Sequence, residues 1–105
     1  MQPESPSPFE HASKLVRYYH DLVAKDASNV EWQTGLEAAQ KWLQLISQEV
    51  PSSEDLDSLL QMLANGTNLG SAWFDLKLGV NAWARHLLSK HVIPANSVRY
   101  LSRFF

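Results

Sequence analysis

The chain has 105 residues, 45% of them apolar and 19% charged, which places it among globular sequences and excludes the low-hydrophobicity, high-charge class that stays disordered. One core is the usual solution at this length, and the absence of cysteine excludes disulfides and thiolate metal sites and fits a reducing compartment. The net charge of −2 hides an asymmetry: residues 1–75 carry four bases against eleven acids (−7), while residues 76–105 carry five bases and no acid (+5). A split of this kind lets the two ends attract each other within a fold, lets protomers pair head to tail, or directs the basic end to an acidic partner.

The opening MQPESPSPF lacks the basic and apolar regions of a secretory signal, and no apolar run reaches the roughly 20 residues needed to span a bilayer. The expectation is a cytoplasmic protein that does not enter a membrane, with Asn65-Gly66-Thr67 read as a turn and not as a glycosylation acceptor. Prolines restrict residues 1–8 to a disordered arm, and residues 9–105 read as a single helical domain.

From Phe9, apolar residues fall at Ala12, Leu15, Val16, Tyr19, Leu22 and Val23, the three-four spacing of a helix with one buried stripe. Glu10 with Lys14 and Arg17 with Asp21 mark its wet side. Ser28 and Glu31 form a capping-box pattern ahead of a second helix. The expected seam of that helix is Trp32, Leu36, Ala39, Leu43, Ile46 and Val50, ending at Pro51, with Trp42 and Leu45 standing off to one side.

Ser52 or Ser53 caps a third helix whose first turn gathers Glu54, Asp55 and Asp57 at the positive end of the helix dipole. Its inward residues are Leu56, Leu59, Leu60 and Leu63, and Asn65-Gly66 is expected to supply the left-handed residue that ends it. A fourth helix runs from about Gly70 or Ser71 to Lys90, and Pro94 separates it from ANSVRYLSRFF, read as a short helix capped by Asn96. Strand signals are weak throughout, and the expected fold is all-α: a small four-helix bundle with an additional short C-terminal helix.

In the fourth helix Leu69, Trp73, Leu76, Val80, Trp83 and Leu87 project into one sector about 80° wide, while Phe74 and Leu78 point to nearly the opposite side. Either this helix is central within its own domain or its second side is covered by another chain; in a four-helix domain each helix normally keeps one face in water, which makes the cover by another chain the less costly explanation. The expected protein interface comprises Trp42, Leu45, Phe74 and Leu78 together with the terminal aromatics Phe104 and Phe105.

No motif carries chemistry. The histidines His11, His20, His86 and His91 are never three or four residues apart, so no helix offers two adjacent imidazoles to a metal. There is no nucleophile elbow, and glycines 35, 66, 70 and 79 are too scattered for a phosphate loop. Neither a cofactor nor an enzymatic activity is expected. The basic residues Lys77, Arg85, Lys90, Arg99 and Arg103 define the alternative, a helical domain that grips nucleic acid or an acidic partner, although the acidic overall balance argues against phosphate binding. The leading expectation is a non-enzymatic interaction module: a small regulator, inhibitor or anti-activator, homodimeric, that binds another protein through apolar helix surfaces and alters its oligomerisation or activity.

Overall fold

A computed structural model describes residues 7–66, 70–94, 96, 98 and 99. Four helices follow one another: α1 (Pro8–Lys25), α2 (Val30–Ile46), α3 (Ser53–Asn65) and α4 (Ser71–Ser89), with no strand among the described residues. The short helix expected after Asn96 falls largely on residues outside those described.

Helix starts follow local hydrogen-bond chemistry. Pro8 opens α1 because its fixed φ suits the first turn and its missing donor costs nothing there. Ser7 caps this helix by accepting from the Glu10 amide at 3.2 Å, so Ser7 and Pro8, expected to belong to a free arm, are part of the helix start. At α2 the cap is Asn29, whose Oδ1 accepts from the Trp32 amide at 3.1 Å. Ser28, the expected cap, instead donates its hydroxyl to Asp26 at 2.6 Å, because the shorter Asx arrangement captures it first. Ser52 caps α3 by accepting from the Asp55 amide. Gly70 precedes α4 with φ 95°, ψ 179°, a backbone open to glycine, and no side chain caps that end.

Three helix ends differ from expectation: α2 stops at Ile46, four residues short of Val50. Gly66 closes α3 in an extended conformation (φ −76°), not a left-handed one. The glycine is needed for proximity: the Trp73 indole lies over it, where a β-carbon would stand 2.7 Å from Cε2, and Trp73 Nε1–H donates to the Gly66 carbonyl at 3.2 Å. The left-handed residue sits at the end of α4, on His91 (φ 58°). There the Val92 amide donates to the Leu87 carbonyl and the His91 amide to the Leu88 carbonyl, the paired bonds of a Schellman motif.

The helices close a ring in which α1 packs on α2 and α4, α3 packs on the same two, and α2 also meets α4 across the middle. The core stripe of α4 is the one the spacing indicates: Trp73, Leu76, Val80, Trp83 and Leu87 are all buried, with Leu69 outside the described residues. In α2 the buried face is rotated away from the expected seam, to Gly35, Ala38, Ala39, Trp42 and Leu45. Leu36, Leu43 and Ile46 flank it half-buried, and Val50 is exposed. Small residues draw that face inward, because they let a neighbouring backbone approach: the Tyr19 ring of α1 lies directly against Gly35.

Candidate docking surface on α4

Of the six residues expected at an interface, two belong to the core. Trp42 is 0% and Leu45 2% exposed within the single chain, so neither projects from the domain as an interface anchor, and Trp42 serves only as the buried backing of the cavity described below. The reason is topological: α2 touches all three other helices, and its second apolar side is spent inside the domain. Phe74 and Leu78 are where the periodicity places them, 51% and 37% exposed on the outer side of α4. Phe104 and Phe105 lie outside the described residues.

Phe74, Leu78, Ala82 and His86 recur every four residues and are all exposed, which makes them one ridge along α4. Beside its lower part is an open cavity of about 530 Å³, lined by Leu78, Gly79, Ala82, Trp83 and His86 of α4, Trp42 of α2, and Pro8 and His11 at the start of α1. Its floor depends on Gly79. A β-carbon there would come within 2.6 Å of Trp42 Cη2 and 2.8 Å of His11 Cε1, so only glycine lets both rings reach the helix backbone.

His11 is held by two contacts. Its ring meets Trp42 edge to face with centroids 5.3 Å apart. Its Nε2 lies 2.9 Å from Asp75 Oδ2, and because an ionised carboxylate only accepts, the imidazole N–H donates. His11 and Asp75 also border a second depression between α1 and α4, which Tyr18 and Ala72 help to line. The surface is thus framed by two ring–backbone contacts and one charge-assisted link between α1 and α4.

Below this surface are two buried polar atoms, Tyr19 Oη and Trp42 Nε1, with no hydrogen-bond partner among the described residues. Burial pushes the Tyr19 hydroxyl up to about 12, and the nearby Tyr18 and Asp75 add to the shift. Neither atom reaches solvent in the cavity, so neither supplies chemistry there.

Among the described residues, the basic side chains of the alternative reading are distributed over α4, its C-terminal cap and the segment after Pro94. Lys77 and Arg85 lie on α4, Lys90 caps its end, and Arg103 lies outside the described residues. Arg99 turns back on α3: its amide donates to Asp57 Oδ1 at 2.8 Å and its Nε lies 3.7 Å from Asp57 Oδ2. At this point the basic tail meets the acidic half of the same chain. Among the described residues no group of three or more His, Asp or Glu is placed to hold a metal ion, and no helix is long and apolar enough to cross a membrane.

Sequence reasoning weighed His11 only as a metal ligand and Gly79 only as part of a phosphate loop, and so missed their place at this surface. The available signal was glycine inside a helix: Gly35 and Gly79 each weaken their helix by about 1 kcal/mol relative to alanine, a cost that marks a close approach. Comparison with protein-family models, curated proteins and solved structures found no match.

Proposed function

We propose that the chain is a non-enzymatic protein–protein interaction module, a small cytoplasmic regulator of the inhibitor or anti-activator kind, which self-associates and binds a partner protein through the outer side of α4. One observation carries this reading: Phe74 and Leu78 stand exposed on a ridge beside an apolar cavity whose floor is made by the core residues Trp42 and Trp83. Exposed aromatic and aliphatic anchors next to a concave apolar site are the usual elements of an interface centre.

The driving force is removal of apolar area from water, about 25 cal/mol per Å², and a contact of about 600 to 800 Å² per protomer is enough for a stable dimer. Regulation follows by competition, since a target whose own oligomerisation uses a similar apolar helix face loses that contact when this chain occupies it.

Size-exclusion chromatography with light scattering tests the reading on the wild type and on Phe74→Glu and Leu78→Glu. The expected result is a wild type that dimerises with rising concentration and two folded, monomeric variants. A wild type that stays monomeric up to millimolar concentration would overturn it.

A further inference from the structure

Resting on that reading, we infer that the occupant of the α4 surface is a second copy of this chain, docked antiparallel about a two-fold axis so that each Phe74 seats against the His86 rim of the other copy's cavity. The surface is complementary to itself. The protruding ring of Phe74 and the far, His86 rim of the cavity, which extends along α4 from Leu78 to His86, lie on the same helix, twelve residues and so about 18 Å apart. A two-fold contact matches such a pair reciprocally, because whatever one copy offers at one end it receives at the other.

The residues fall into register when the axis passes level with Val80, midway between Leu78 and Ala82. Each Leu78 then faces the small Ala82 of the second copy, and each Phe74 faces His86 at the cavity rim. The ridge 74-78-82-86 follows the four-residue rows that interdigitate when two helices pack at about 50° with axes 8 to 10 Å apart. Charge agrees with this arrangement. Asp75 comes opposite Arg85 twice, whereas a parallel pairing sets Asp75 against Asp75 and Arg85 against Arg85. Ala82 at the centre permits the close approach that a larger side chain would hold off.

The absence of native cysteine makes the register directly measurable. Leu78→Cys and Ala82→Cys chains are prepared separately, then oxidised mildly each alone and as an equilibrated mixture, with chromatography and light scattering confirming the non-covalent state. A disulfide requires Cα atoms about 4.4 to 6.8 Å apart, so only the antiparallel register joins residue 78 to residue 82. The expected result is covalent dimer in the mixture, formed at least about tenfold faster than in either variant alone.

A dimer that cross-links like with like, or not at all, overturns this pairing while leaving the interaction reading intact; a chain with no dimer at any concentration overturns both. Charge reversal gives an independent check. Asp75→Arg and Arg85→Asp each weaken the dimer about tenfold, and the double variant recovers most of the affinity, a rescue that a merely structural role does not produce. A double variant no tighter than Asp75→Arg, which shares its loss of the His11 link, overturns the pairing.

Discussion

Gly35 of α2 and Tyr19 of α1 fit together as socket and ring: the phenol occupies the space a β-carbon on residue 35 would take. Alanine normally favours a helix interior over glycine by about 1 kcal/mol, yet here the ring is buried and has nowhere to withdraw. Gly35→Ala is expected to destabilise by about 1 to 3 kcal/mol through overpacking, and to become neutral or stabilising in a Tyr19→Leu background. Urea denaturation of the two singles and the double checks the reversal of sign.

The same tyrosine sets an alkaline limit. Its folded value of about 12 exceeds the ordinary 10.0, with burial the main cause. Between these values the unfolded chain releases the proton and the folded chain keeps it, so unfolding is favoured progressively. Stability therefore holds below pH 10 and declines from there toward pH 12, by at most about 1.4 kcal/mol per unit from this group. Tyr19→Phe removes that slope. It also deletes a buried hydroxyl with no partner among the described residues, so at pH 7 it is expected to leave stability unchanged or raise it by about 1 kcal/mol. Denaturation series at pH 8, 10 and 11 on both proteins test this.

His91 occupies the left-handed position that ends α4, where a β-carbon costs about 1 to 2 kcal/mol and glycine costs little. His91→Gly is expected to stabilise the protein by about 0.5 to 1 kcal/mol and to raise the melting temperature accordingly. An unchanged or lower melting temperature would show that the imidazole contributes more than its backbone conformation costs.

Asp57 ties the segment after Pro94 to α3 through the Arg99 amide. The carboxylate is largely buried, so its removal leaves a donor that only water can satisfy. Asp57→Ala is expected to cost about 1 to 3 kcal/mol and to speed amide exchange at Arg99, measured by hydrogen–deuterium exchange.

Core and surface leucines separate in a simple comparison. Leu45→Ala empties a site 2% exposed and is expected to cost about 2 to 5 kcal/mol, whereas Leu78→Ala, on the outer ridge, costs under about 1 kcal/mol in dilute protein and weakens self-association instead. Thermal melts at low and high concentration distinguish the two effects.

What the sequence determined by itself is the helical class, the four helices in their order, with the end of α2 placed four residues too late, and the core face of α4, because large apolar side chains at three-four spacing leave a helix only one way to bury them. The same spacing marked Phe74 and Leu78 as outward. It misplaced the buried face of α2, since Gly35, Ala38 and Ala39 are weak apolar signals, yet their smallness lets α1 and the Tyr19 ring close in. Tertiary structure alone decided the fate of Trp42 and Leu45, the link between His11 and Asp75, and the cavity over Gly79. Each depends on which helices become neighbours, a relation between residues dozens of positions apart that no local period encodes.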